Sequence, residues 1–243
     1  MKLTLGWFYP KLMNLYGDRG NIIALAYRCR KRNIELEIEN INIGNKIDLN
    51  KFDLLFFGGG QDKEQIMVAE DLKKYQNDLR NFYNQNRPML AICGGYQLMG
   101  AYFLTSEGRK IHGLGILDFF TRACEKRMIG NIAIKCSFLD NDILVGFENH
   151  SGKTFLTNNQ ESLGQVIKGF GNNGVDKNEG IKSKNFIGTY LHGPILPKNP
   201  ELADWFIQTA LEIKYNKKIK LEAIDDNLEQ KAKNYIYKKY IKQ

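Results

Sequence analysis

A cysteine stands between an apolar run and two glycines in Pro88-Met-Leu-Ala-Ile-Cys93-Gly-Gly-Tyr-Gln97. Met89 to Ile92 has the make-up of a short buried strand, and the residues from Tyr96 onward suit a helix. A thiol on a sharp strand-to-helix turn gains three things. The glycines let the turn close without a Cβ clash. The helix N-terminus favours the nucleophilic thiolate. Free N–H groups at that end can hold a developing oxyanion. This is the logic of a nucleophile elbow with Cys in place of Ser. A buried core cysteine beside a glycine turn fits the same residues, so this stretch alone leaves both readings open.

A second chemical element is Gly188-Thr-Tyr-Leu-His192-Gly-Pro194. His192 follows an apolar, strand-like run, so it too falls at a strand end. An imidazole there can serve Cys93 as general base and then as general acid. Gly58-Gly59-Gly60 closes a third apolar run, residues 53–57. Its backbone can donate an N–H toward an oxyanion, opposite the N–H of Gly94; a plain strand-to-helix turn is the alternative. Of the other histidines, His112 falls in an exposed hairpin, and His150 reads as a turn residue that could border the site. Ser151-Gly-Lys-Thr154 fails as a phosphate loop, because Phe147 stands where glycine is required and no helix follows. With no other nucleotide motif, any ATP the reaction needs must be bound by another chain.

These residues need a frame that brings strand ends together. Residues 3–9, 34–43, 53–57 and 88–93 read as strands, with helical spacing over 21–32 and a long helical stretch over 61–86. Such alternation predicts a parallel sheet covered by helices on both faces. Ligands bind at the carboxyl ends of the strands in such sheets, where both Gly58–Gly60 and Cys93 fall. From 111 to 191 the runs 115–120, 129–134, 143–147, 165–168 and 186–191 are short and separated by Gly and Asn, which suggests added, partly antiparallel strands. An amphipathic helix over 201–213, anchored by Trp205 and Phe206, and a basic helix over 228–241 follow. The expected class is α/β, with a mostly parallel central sheet flanked by helices and extra antiparallel strands. The expected division is a domain over 3–205 and a helical extension over 206–243 packed on it.

Composition narrows the function. The 243 residues are 43% hydrophobic and 26% charged, ordinary for a globular protein. No apolar run approaches the ~20 residues of a membrane helix, and the N-terminus lacks signal-peptide features; a cytoplasmic location is expected. Cys29, Cys93, Cys124 and Cys136 form no C-x-x-C pair, so neither a metal site nor a disulfide framework is expected. The formal charge of +8 comes mostly from Lys scattered among acids, without the Arg-rich helix or basic–aromatic platform of a nucleic-acid binder. The densest basic stretch, 231–242, reads as a solvated Lys face.

Together, Ile92-Cys-Gly-Gly-Tyr-Gln97, Gly58–Gly60 and Tyr190-Leu-His-Gly-Pro194 resemble a class I glutamine amidotransferase domain (flavodoxin-like fold) of the cobyric acid synthase type. Asn14-Leu-Tyr-Gly-Asp-Arg-Gly-Asn21, Gly146-Phe-Glu-Asn-His150 and residues 191–199 are similar to the free-standing GatD-type glutaminase subunits of lipid II isoglutaminyl synthases. The resemblance implies that Cys93 attacks the side-chain amide of L-glutamine, with His192 as base and then acid. It implies that Gly59 and Gly94 form the oxyanion hole, that Gln97 positions the substrate, and that Arg127 pairs with its α-carboxylate. Ammonia would pass to a MurT-type, Mur-ligase-like partner, which would bind the ATP and Mg and amidate the D-glutamate α-carboxylate of lipid II. A cobyrinate-type acceptor, or another cysteine hydrolase, is the alternative. One departure stands out: many amidotransferases carry Glu two residues after the catalytic His, where this chain has Pro194. Asp18, Glu148 or a carboxylate supplied by the partner would have to replace it, and the last is the arrangement expected, since it would tie glutamine hydrolysis to complex formation.

Overall fold

A computed structural model describes residues 1–139, 143–157 and 159–242. In chain order the strands are β1 (Lys2–Phe8), β2 (Glu35–Ile41), β3 (Leu54–Phe57), β4 (Met89–Ile92), β5 (Tyr102–Leu104), β6 (Lys110–His112), β7 (Phe119–Lys135), β8 (Ile143–Leu156), β9 (Gly164–Lys168), β10 (Asn178–Glu179), β11 (Ile181–Ser183) and β12 (Phe186–Thr189). The helices are α1 (Arg19–Lys31), α2 (Asp62–Leu72), α3 (Gln76–Asn84), α4 (Gly94–Met99), α5 (Ile195–Lys198), α6 (Pro200–Tyr215) and α7 (Asn227–Ile236).

The first sheet has the order β11-β12-β4-β3-β1-β2. All its pairings are parallel except β11 against β12. Every residue of β3, β4 and β12 is buried, as central parallel strands covered on both faces must be. This is the expected central sheet. The added strands do more than extend it. They form a second sheet, β10-β9-β7-β5-β6, with β8 paired to β7. One buried cluster runs through both sheets, from Leu5, Leu55 and Leu90 to Phe103, Phe119 and Ile132.

Several local expectations change. The stretch 61–86 breaks into α2, a 3-10 turn at Lys73–Tyr75, and α3. Residues 115–118 are not strand; the chain becomes extended only at Phe119. The runs 129–134 and 143–147 belong to β7 and β8, a ribbon of 17 and 14 residues with a register irregularity between Ala123 and Met128. Residues 151–154 lie within β8, so an extended strand stands where a phosphate loop would need a turn. His150 is a buried strand residue opposite Met128, not a turn residue. Cross-strand pairing overrides the turn-like composition around it.

The C-terminal region is tied to the rest of the chain by buried ion pairs. Helix α6 begins with Pro at its first position, where a missing N–H is harmless, and runs unbroken across residues 205 and 206. Buried Arg28 of α1 forks onto both Asp204 and Asp226 at 2.5–3.0 Å. Lys233, within the stretch expected to be a solvated face, is buried and paired with Glu201. Among the described residues, no helix is long and apolar enough to cross a membrane.

Candidate active site

The fold brings the three chemical elements to one end of the first sheet. Cys93 follows β4 directly and caps α4, with φ 49° and ψ −108°. A non-glycine residue at such angles is strained by roughly 1–3 kcal/mol and persists only where its surroundings hold it. Here the Cys93 N–H donates to Thr189 O at 2.8 Å, and Cys93 O accepts from Gln97 N at 2.9 Å. The strained elbow thrusts the thiol out of the sheet toward His192.

His192 lies just past β12, fully buried. Its backbone is fixed from the second sheet: His192 N donates to Phe147 O at 2.8 Å, and Phe147 N donates to His192 O at 3.1 Å. Nδ1 stands 3.3 Å from Asp18 Oδ1. Asp18 is also fully buried, at the end of the loop that follows β1. Glu148 does not reach His192; its two oxygens accept from Phe170 N and Gly171 N at 2.7 and 2.9 Å. Of the three sources considered for an orienting carboxylate, the fold supplies Asp18 from within the chain. Burial alone would lower the His192 pKa, but the charge of the Cys93 sulfur and the hydrogen bond and charge of Asp18 outweigh it and raise it. The imidazole is therefore held toward its cationic form, facing the thiol. Nε2 makes no other hydrogen bond, so it is available for proton transfer.

The glycine turn departs from expectation at one residue. The Gly59 N–H is already spent on Asp18 Oδ2 at 2.6 Å. In the next peptide unit, Gly59 O accepts from Leu15 N at 3.1 Å, which turns the Gly60 N–H the opposite way, as a trans peptide requires. Gly60 N lies 3.0 Å from the point where a Cβ on Gly94 would stand. Gly94 itself heads α4, where its N–H has no acceptor within the helix. The paired N–H groups beside Cys93 thus belong to Gly60 and Gly94, not to Gly59 and Gly94. Gly59 has a different constraint: a Cβ there would meet His192 Cε1 at 2.9 Å and the Cys93 Cβ and Asp18 Oδ2 at 3.3 Å.

Cys93 and Gly60 open onto a cavity of about 480 Å³ that is also lined by Tyr16, Gln65, Gln97 and Arg127, among others; His192 lies behind Cys93, buried. Gln97 is buried and donates to Tyr190 Oη at 3.0 Å. Tyr190 Oη shares a hydrogen bond of 2.7 Å with Thr154, which shares another of 2.7 Å with Thr121. The His150 ring stacks on Tyr190 at 3.7 Å. Arg127 sits at the irregularity of the β7–β8 ribbon, bonded to Asn149 and, at 3.1 Å, to Tyr16 Oη. Tyr16 also sets its ring edge-on to His192 at 5.1 Å. The loop of residues 14–18 therefore touches the imidazole, the Gly59 peptides and Arg127 at once. Tyr16, Asp62 and Gln65 are among the lining residues to which sequence reasoning gave no role, and Gly60 was read only as part of its turn. The motif Asn14-Leu-Tyr-Gly-Asp18 was the available signal for the first; nothing in a helical stretch singles out Gln65.

Comparison with known proteins gives the family. The model of the CobB/CobQ-like glutamine amidotransferase domain matches residues 4–200. The chain is 44% identical over 213 residues to the lipid II isoglutaminyl synthase (glutamine-hydrolyzing) subunit GatD of Staphylococcus aureus strain N315, covering 88% of this chain and 86% of that one. It is 41% identical over 230 residues to the corresponding subunit of Streptococcus pneumoniae R6, covering 94% and 88%. Similarity to cobyric acid synthase of Prochlorococcus marinus is 27%, over only 47% of that longer protein. A crystal structure of a glutamine amidotransferase shares the fold, with a TM-score of 0.57 at 14% identity over 85% of this chain and 98% of that one.

Proposed function

The chain belongs to the CobB/CobQ-like glutamine amidotransferase family, and within it to the GatD subunits; on that premise we propose that it is the glutaminase subunit of a lipid II isoglutaminyl synthase. The observation that carries the reading is the strained Cys93 elbow facing a buried His192, beside two free N–H groups. The Cys93 sulfur attacks the side-chain carbonyl carbon of L-glutamine. The carbonyl oxygen becomes an oxyanion and is held by the N–H groups of Gly60 and Gly94. His192, as imidazolium, gives its Nε2 proton to the departing nitrogen, and ammonia leaves. The γ-glutamyl thioester remains. Neutral His192 then takes a proton from water, which attacks the thioester, and glutamate departs as the thiolate is restored. Asp18 keeps Nδ1 protonated throughout, so that Nε2 is always the working nitrogen. Arg127 takes the substrate α-carboxylate with its planar fork, and Gln97 positions the substrate.

The ammonia serves a MurT-type, Mur-ligase-like subunit that binds ATP and Mg and activates the D-glutamate α-carboxylate of lipid II. The reaction is cytoplasmic, and the two chains act as a heterodimer. The names of the relatives at 41–44% identity support a glutamine-hydrolysing subunit of a lipid II isoglutaminyl synthase; the MurT-type partner, its ATP and Mg, and the cytoplasmic setting rest on the resemblance of the sequence motifs alone. The test is glutamate release from L-glutamine by wild type and Cys93→Ala, alone and with a co-expressed Mur-ligase-like protein. Lipid II amidation with ATP is followed in the same mixtures. Release that needs Cys93, and amidation that needs both chains, are expected. Release that survives Cys93→Ala would overturn the reading.

A further inference from the structure

The cavity holds acceptors that the mechanism leaves unused. Gln65 is 3% exposed and lines the cavity beside Gly60 and Cys93. Its Nε2 donates to Gly60 O at 3.1 Å. Because Gly60 O can only accept, this bond fixes which end of the amide is nitrogen. The other end, Oε1, is buried without a partner. Three residues earlier on the same face of α2, Asp62 lines the cavity mouth. Burial and the charge of Glu107 push its carboxyl upward, and the Arg127 guanidinium pulls it back, so Asp62 and Arg127 face each other electrostatically. Gln97 Oε1, also buried and unpartnered, is a further acceptor on the wall.

An α-amino acid is a zwitterion. Its carboxylate needs donors, and its ammonium, with three N–H groups and no lone pair, needs acceptors. Arg127 answers the first need. Resting on the glutaminase reading above, we propose that Asp62 and Gln65 of α2 form the subsite for the substrate's α-ammonium, Gln65 Oε1 accepting one N–H and the Asp62 carboxylate supplying the opposite charge. The N-terminal end of a helix is a poor place for a cation, and a carboxylate in its first turn offsets that. Selection for a free α-amino group is then built into the helix that follows the glycine turn. A buried acceptor left unmatched is costly, so a substrate analogue lacking the ammonium is rejected.

The test compares L-glutamine with glutaric acid monoamide, which keeps the carboxylate and the scissile amide but has no α-amino group. Both are assayed as ammonia release by the complex with its ligase partner, for wild type, Asp62→Asn and Gln65→Met. Wild type should prefer L-glutamine by at least a hundredfold in kcat/KM. Each variant should lose about tenfold to a hundredfold on L-glutamine, the range for a hydrogen bond to a charged group. On the monoamide each should change by less than about threefold. Equal losses on both substrates would mean that Gln65 only braces the Gly60 peptide, and would overturn the inference while leaving the glutaminase reading intact. Unchanged preference in Asp62→Asn would also overturn it. A wild-type complex that releases ammonia from neither compound would overturn the glutaminase reading, and the subsite with it.

Discussion

Replacing Asp18 by Asn keeps the shape of the site and changes one proton. The Gly59 N–H, 2.6 Å from Oδ2, can only donate, so the new amide must turn its oxygen there. Its NH2 then faces His192 Nδ1, where Asp18 Oδ1 had stood at 3.3 Å. Nδ1 is forced to accept, and the imidazole proton moves to Nε2. That nitrogen can no longer accept a proton from the thiol. The lost charge-assisted contact is worth about 1.5–3 kcal/mol, and the wrong tautomer adds to it; in serine triads the same change costs about 10⁴ in kcat. A thiol depends less on its base than a hydroxyl does, so a drop of about 10²–10³ in kcat is expected, roughly 2.7–4 kcal/mol. The pH profile gives a second readout. Asp18 helps raise the His192 pKa, so without its charge the imidazolium gives up its proton sooner, and the alkaline limb of the kcat profile moves to lower pH. The assay is glutamate release by the complex across pH, with thermal melting to confirm the fold. An Asp18→Asn enzyme within threefold of wild type, with an unmoved alkaline limb, would refute the assignment of Asp18 as the orienting carboxylate.

Three further outcomes follow from the same geometry. Gly59→Ala places a methyl 2.9 Å from His192 Cε1 and 3.3 Å from the Cys93 Cβ; a displacement of this kind costs about 10²-fold in kcat, measurable as glutamate release by a protein that still melts cooperatively. Burial pushes the Glu179 carboxyl up to about 8 from 4.5, against the pull of the Tyr190 N–H and the Thr189 hydroxyl. The folded state therefore binds a proton that the unfolded chain has lost, and the stability this gives is full below the unfolded value and falls as pH rises to the folded one. Melting temperatures of wild type should accordingly fall more than those of Glu179→Gln between about pH 5 and pH 9. Arg28→Met leaves Asp226 without its guanidinium while Arg32 still reaches Asp204; a loss of about 3 kcal/mol in urea unfolding is expected, with glutaminase turnover unchanged in the protein that remains folded.

The parts of the site legible in the sequence were those whose signal is local. An apolar run, a cysteine and two glycines describe a turn almost by themselves, and the structure adds only its angles. His192 was legible for the same reason, as the end of a short apolar run. Asp18 was one of three possibilities, because its partner lies 174 residues away and only the β1-to-α1 loop brings it there. The choice between Gly59 and Gly60 could not be read at all. Adjacent glycines look alike until a carboxylate claims one N–H and Leu15 orients the next peptide. Gln65 was invisible because one glutamine in an amphipathic helix resembles any other. The expected central sheet was legible from its strand–helix alternation, whereas the second sheet was underestimated. Its long ribbon has glycines and asparagines inside it, which read as punctuation when the partner strand is unknown.

The pair of backbone bonds between His192 and Phe147 makes the working imidazole common property of two sheets. Neither sheet can slide or hinge on the other without dragging that nitrogen off its line to sulfur. Amide hydrogens at residues 147 and 192 should thus exchange with deuterium only when the whole molecule opens, on the slowest timescale in the protein. A denaturant series followed by turnover should give the same midpoint as one followed by circular dichroism. Breathing of the pocket must then come from exposed side chains at its rim such as Tyr16, while the floor, Asp18 included, behaves as a single rigid block.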